Sequence, residues 1–439
     1  MRRPTYKVNF PETKAMTPYD STWRLSRPRA AQVCQCLFLL FLLASGAKDS
    51  AALEQRTETP PATPRALVIR PDDAATRSGM EHFYSLEYDQ AVHDFELSAS
   101  EHSGDAFALN HLLSAVLFRE LFRVGALDTE LYSDDSFLSR KPLTGDPATI
   151  KRILDLIDQA LRLSEERLKR NPNDVEALYC RGVTRGLRAT YVGLMERAWF
   201  SALRSALGAR NDHERVLELS PGFTDAKMVV GVHNYMLGSL SWPVKVAATM
   251  IGVRGNRTKG IQYLYEAGRA NGETNVDARI ALSLFLRREQ RYPEALELVR
   301  GLADEHPRNF LVAIEFAHLL NAAGHGPEAI AAYRKLIKAA LNRQFAETRM
   351  ERAYFGLAEA LRGQRHLEEA SEAYLQALSC KTADMDIRQR AGLSAGEMFD
   401  ALSKRDLAVE RYKAVLAEQS EGAQAQMAQQ YLKRPYRMQ

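Results

Sequence analysis

Cysteine is scarce: the chain has four in 439 residues. Cys34 and Cys36 lie inside one apolar run, and Cys180 and Cys380 stand far apart in the remainder, so no disulfide framework is implied. No Cys follows the small residues after that run, and a lipoprotein attachment site is not apparent. Long hydrophobic runs are also few, and the stretch 33–43 is shorter than the roughly 20 residues a spanning helix needs. Catalytic signatures are missing too. Neither His-Glu-x-x-His nor a dinucleotide fingerprint occurs. Of ten histidines, His82, His93, His102 and His111 crowd together, but at spacings of 11, 9 and 9, unlike zinc ligands. His82 is expected to take the aromatic packing place of its hairpin. No metal, no cofactor and no enzymatic activity are expected.

What is present begins with a secretory pattern. Arg24, Arg27 and Arg29 precede the apolar run, and Ala44-Ser45-Gly46-Ala47 closes it, the basic, greasy, small order of a signal peptide over 1–47. Met16 is a second candidate start. Cleavage near Lys48 would give a periplasmic or secreted protein; an uncleaved signal would anchor it to the membrane. The segment 1–47 holds seven Lys/Arg and two Asp/Glu, which leaves 52 basic and 53 acidic residues beyond it. Charge of one sign is thus absent from the expected mature chain, and with it the footprint of a nucleic-acid partner. Residues 48–72, with Pro60, Pro61, Pro64 and Pro71 among threonines, read as a flexible linker.

Beyond the linker the chain repeats itself. Ala295 with Val299, Ala329 with Tyr333, Ala370 with Tyr374 and Ala408 with Tyr412 recur at intervals of 34, 41 and 38 residues. Gly79, Ala91 and Phe95 give the same pattern near the front, and segments often close on Pro or Gly, as at Pro172, Pro221, Gly272 and Pro307. Each pair sits in an amphipathic helix preceded by another. One such hairpin cannot bury its apolar face alone, so the hairpins must stack. A small residue lets two helix backbones approach, and the aromatic fills the gap.

The pattern resembles tetratricopeptide repeats, which place a small residue early in the first helix, Ala in the second and an aromatic four residues later. The resemblance implies an all-α, right-handed α-α superhelix with two enlarged central repeats. The expected divisions are a divergent helical region 73–275, a C-terminal array 276–418 and a helical or disordered tail 419–439, in one elongated unit. The enlarged units run 172–221 and 221–272, each about 15 residues longer than 272–307. Their excess includes Trp199-Phe200 and the apolar segment 236–253, which are expected to cover one another as a raised ridge. A long loop, 125–146, interrupts the front half.

The turn 252–260 joins glycines to Arg254, Asn256 and Arg257 ahead of a helix, a candidate anion turn. It lacks the Lys-Ser/Thr pair of a nucleotide loop. This stretch and the opening around Gly79 are similar to a eukaryotic repeat family of inclusion-body clearance at lipid surfaces, a likeness of two short stretches.

Carrying the repeat family's concave positions onto this chain marks Asp225, Met228, Val232 and Tyr235, then Arg287, Arg288, His318, Asn321, Arg352, Phe355 and Arg362 as a partner-binding groove. The mixture suits a protein or an extended peptide, acidic segments included. With the signal pattern of 1–47, the resemblance leads to the expectation of an exported, non-catalytic scaffold that binds a protein or peptide partner in the cell envelope. The alternative is a lipid- or membrane-associated module using 236–253. The positions of the family's carboxylate clamp hold Asp277, Leu284, Leu311 and His318 and do not match it. Partner identity and oligomeric state are not encoded in any motif.

Overall fold

A computed structural model describes residues 70–127, 142–240 and 254–438, together with Lys245 and Thr249. The expected signal peptide, most of the linker 48–72, the middle of the loop 125–146 and most of the segment 236–253 lie outside the described residues.

Among the described residues there are seventeen α-helices and no strand. The front half holds α1 Ala74–Tyr84, α2 Tyr88–Glu101, α3 Ala106–Arg123, α4 Pro147–Arg170, α5 Val175–Leu194, α6 Trp199–Leu219, α7 Ala226–Gly238 and α8 Arg257–Arg269. The back half holds α9 Asn275–Arg288, α10 Tyr292–Glu305, α11 Phe310–Ala322, α12 Gly326–Leu341, α13 Met350–Gly363, α14 Leu367–Ser379, α15 Met385–Ala401, α16 Arg405–Glu418 and α17 Ala423–Lys433.

Short polar residues start many of these helices. Asp73, Asp146, Asp174, Asn309 and Asp384 each accept a hydrogen bond from the backbone N–H three residues on, satisfying one of the orphan donors of the first turn. The turns inside the hairpins are equally regular. Leu86, Gln290, Gly324, Arg365 and Ser403 all sit at positive φ, two residues past the end of α1, α9, α11, α13 and α15 respectively. One left-handed residue reverses the chain in each case, and only one of the five is glycine.

The predicted packing pairs form the spine. Ala91, Ala295, Ala329, Ala370 and Ala408 are all 0% exposed, and Phe95, Val299, Tyr333, Tyr374 and Tyr412 four residues later are buried with them. Gly260 takes the alanine place in α8: a Cβ there would come within 2.5 Å of the Tyr235 backbone nitrogen, so only glycine lets α7 and α8 cross this closely. His82 does not take the aromatic place. Its Nδ1 pairs with Asp94 at 2.9 Å, and Phe95 lies over Gly79 instead. The histidine that does is His213, 0% exposed and four residues after Ala209.

Successive helices pack in hairpins, and the first helices also touch one another: α1 with α3, α3 with α5, α7 with α9, α11 with α13, α13 with α15 and α15 with α17. They line one face in a row, called the inner face below. The structure is an α-α solenoid, as the repeats imply. The enlargement of the first central unit lengthens both α5 and α6. Its Tyr191, Val192 and Met195 pack with Leu113, Leu117 and Ile153 of α3 and α4, while most of the second extension lies outside the described residues. Residues 423–433 of the expected tail form α17, which packs on α15 and α16.

The solenoid is not the elongated arc expected from sequence. It coils back so that its first hairpin meets the back half. Leu86, Tyr88 and Phe122 share one apolar core with Leu282, Phe310 and Ile314. Asn309 fixes the contact through both ends of its amide: Oδ1 accepts from Val312 N at 3.0 Å as the cap of α11, and Nδ2 donates to Tyr84 O at 2.7 Å. Arg349 donates to the carbonyl oxygens of Phe122 and Arg123 and lies 5.0 Å over the Phe122 ring. Arg308 adds ion pairs with Glu81 and Glu87 at 3.1 and 3.0 Å.

Candidate functional site

The inner face of the back half carries most of the sequence-predicted groove, and the structure fills in partners for it. Arg287 of α9 reaches Glu315 of α11 at 3.1 Å, with side chains 12% and 5% exposed. Arg352 of α13 reaches Asp384, the cap of α15, at 2.7 Å. Arg362 reaches Glu397 of α15 at 2.9 Å and also donates to Tyr436 Oη at 3.1 Å. The guanidiniums therefore form a ladder, each clasped by the next hairpin. Buried charge is tolerable only when paired in this way. Burial pushes the Glu397 carboxyl upward, and Arg362 opposes that shift.

Phe355 is buried at 4% exposure, with the Arg390 guanidinium 4.5 Å over its ring. His318 is buried against Tyr333, at 5.8 Å between rings. Asn321 and Arg288 are half-buried near the ends of α11 and α9. The seven residues thus lie on α9, α11 and α13 of a single stack, and five of them are built into its packing.

The candidate anion turn is already engaged by the protein. Asn256 caps α8, its Oδ1 accepting from Lys259 N at 3.0 Å, and Arg257 pairs with Glu289 at 2.9 Å, while Arg254 is exposed. A depression of about 460 Å³ between α8, α9 and α10 contains Tyr265, Arg269, Arg279 and Glu294. There Tyr265 donates to Glu294 at 2.7 Å and Arg279 pairs with Glu305. Among the described residues no group of three His, Cys, Asp or Glu could hold a metal ion, and no helix is long and apolar enough to cross a membrane.

The front half of the inner face is acidic. Asp225 precedes α7 and is 6% exposed; its Oδ1 accepts from Thr274 N at 3.1 Å and Thr274 Oγ1 at 3.0 Å. Glu273 stands beside it, facing His111 Nε2 at 3.5 Å. A Cβ on Gly272 would land on the Asp225 carboxylate, so this glycine makes room for it. Burial pushes the Asp225 carboxyl up, against the Thr274 hydrogen bonds, and pushes Asp277 up to about 6. Asp225 was legible as a concave position; Glu273 and its neighbours were not, because Glu273 lies in a loop that no repeat register reaches.

Fold and inner face together define a solenoid of the tetratricopeptide type. No protein-family model matches the chain, and no curated protein matches it. Among solved structures it is similar to the C-terminal part of a TPR repeat-containing protein from Cytophaga hutchinsonii, at 13% identity over 62% of this chain and 94% of that one, with a TM-score of 0.43. It is also similar to PilF of Pseudomonas aeruginosa, at 15% identity over 57% and 98% with a TM-score of 0.37. A human IFIT1 dimer with m7Gppp-AAAA matches at 12% identity over 83% and 82% with a TM-score of 0.42. At these identities and scores the likenesses add nothing to the fold read from the helices themselves.

Proposed function

We propose that the protein is a non-catalytic scaffold that holds an extended segment of a partner protein along the inner face, and that it works after export directed by residues 1–47. The observation that supports this best is the ladder on the back half. Arg287 of α9 and Arg352 and Arg362 of α13 are fixed in place by Glu315, Asp384 and Glu397 of the hairpins that follow them. A surface whose charged groups and rings are already immobilised loses little conformational entropy on capturing a chain. Among the described residues neither Cys180 nor Cys380 is an activated nucleophile, since burial pushes the Cys180 thiol well up and the Cys380 thiol up to about 11.

Alanine at Arg287 or Arg362 would strip a buried carboxylate of its partner and weaken the stack itself. A photo-crosslinking residue in place of half-buried Asn321 leaves those pairs intact. Crosslinking to a discrete protein partner from Asn321, and not from exposed Lys335 on α12, is the expected result. Identical patterns from both positions, or none, would remove the inner-face reading. Export is tested separately by intact mass in fractionated cells: a chain starting near Lys48 outside the cytoplasm is expected, and an uncleaved cytoplasmic chain would contradict it.

A further inference from the structure

The front half of the inner face holds a pocket that the arginine ladder does not use. Its walls are aromatic. Phe107 of α3 stacks on Tyr179 of α5 with ring centroids 5.7 Å apart, and Phe223 lies 4.8 Å from Tyr179. Its floor is the pair of carboxylates Asp225 and Glu273 described above. Thr274 donates to Asp225 and His111 faces Glu273, and a further cation above the two carboxylates favours their ionised forms.

The chain supplies one. The Arg70 guanidinium lies 4.7 Å from the Phe223 ring centroid and 5.5 Å from that of Phe107, and the Arg70 backbone N–H donates to Glu273 Oε1. A planar guanidinium stacks on ring faces as a lysine ammonium cannot, and its charge favours the ionised Asp225 carboxyl without a direct ion pair. Arg70 and Pro71 belong to the stretch read from sequence as the end of a flexible linker, yet they are anchored here. Only Asp72 separates Pro71 from Asp73, the cap of α1, so the occupant enters the site immediately ahead of the first helix.

We propose that this pocket is the arginine-reading position of the inner face, that its ligand is a basic extended segment of the partner protein, and that Arg70 is a stand-in held in cis which the partner displaces. The proposal rests on the scaffold reading and narrows it to a partner of stated charge. A tethered occupant competes at high effective concentration, so the wild-type chain should bind such a segment weakly until Arg70 leaves.

The test uses the full chain and a fluorescein-labelled peptide copying residues 64–71, which carries Arg65 and Arg70 and no acidic side chain, with variants carrying Ala or Lys in place of the arginine at position 70. Fluorescence anisotropy should show the Arg70→Ala chain binding the arginine peptide at least tenfold more tightly than wild type does, and the alanine and lysine peptides at least tenfold more weakly than the arginine peptide. Adding Phe223→Ala to Arg70→Ala should abolish the gain. Circular dichroism checks that each chain is folded, and Arg70→Lys carries the same comparison if Arg70→Ala does not fold. Equal binding by wild-type and Arg70→Ala chains, or equal binding of the arginine and alanine peptides, overturns the proposal. A chain that ignores the peptide but still crosslinks from Asn321 refutes the pocket and leaves the scaffold standing; the reverse result refutes the ladder surface alone.

Discussion

Two glycines in α5, one turn apart, should respond to alanine with opposite signs. A Cβ on Gly182 would land on the His213 ring, whereas one on Gly186 meets nothing within 4 Å. The His213 ring cannot step aside: it is 0% exposed, its Nδ1 bonds Ala209 O at 2.8 Å, and Tyr179 meets it edge-on at 5.3 Å. Overpacking a pinned site costs about 3 kcal/mol, the upper part of the usual range. Alanine returns about 1 kcal/mol of helix propensity at either position. Gly182→Ala should therefore destabilise by about 2 kcal/mol and Gly186→Ala should stabilise by up to about 1 kcal/mol. Urea unfolding followed by circular dichroism at 222 nm reads the two midpoints. A shift of both variants in the same direction would refute the packing of His213 against α5.

The same histidine should make the fold acid-sensitive. Burial pushes His213 down to about 4 and His233 down to about 3, both from 6.5, so each is neutral when folded and takes up a proton on unfolding. Their contribution is complete above pH 6.5 and is lost as pH falls toward those values, about 3 kcal/mol each by pH 4. His213→Phe should flatten the stability profile between pH 6.5 and 4; an unchanged slope would contradict the assignment. At the hairpin turns, Arg365→Gly relieves a left-handed residue at φ 62 and should stabilise by roughly 0.5 to 1 kcal/mol in the same urea assay. A loss there would mean that the Arg365 side chain contributes more than its backbone costs. Asn309→Asp keeps an acceptor for the α11 cap but removes the Nδ2 donor to Tyr84 O, so amide exchange should quicken at 84–88 and not at 310–314. Equal quickening in both segments would show that the cap, not the long-range bond, was lost.

The repeats were legible because their signal is local. Ala329 and Tyr333, or Ala408 and Tyr412, are one helical turn apart, and a small residue before a ring needs no knowledge of the rest of the chain. His213 escaped because an imidazole does the work of a phenyl ring and because the longer α5 and α6 displaced it from the expected interval. The candidate groove was half legible. Register placed Arg287, Arg352 and Arg362 on first helices, but their partners Glu315, Asp384 and Glu397 come from the following hairpin, so an apparently open cationic surface is internally neutralised. The contacts of Tyr84 with Asn309 and of Arg349 with Phe122 were not legible at all. They join residues more than 220 apart, and only the accumulated curvature of the stack decides whether such residues meet.

That closure is the claim on which the shape of the inner face depends, since it sets the first hairpin and the end of α3 against the back half. Cysteines in place of Glu87 and Arg308, whose side-chain tips meet at 3.0 Å, test it directly in a chain with Cys34, Cys36, Cys180 and Cys380 replaced by serine. A short bis-maleimide, whose spacer replaces the length of the lost side chains, should crosslink the pair within the monomer as readily as a control pair placed at Arg279 and Glu305 of neighbouring helices. A control that crosslinks while the Glu87 and Arg308 pair stays unlinked would mean that the solenoid is open.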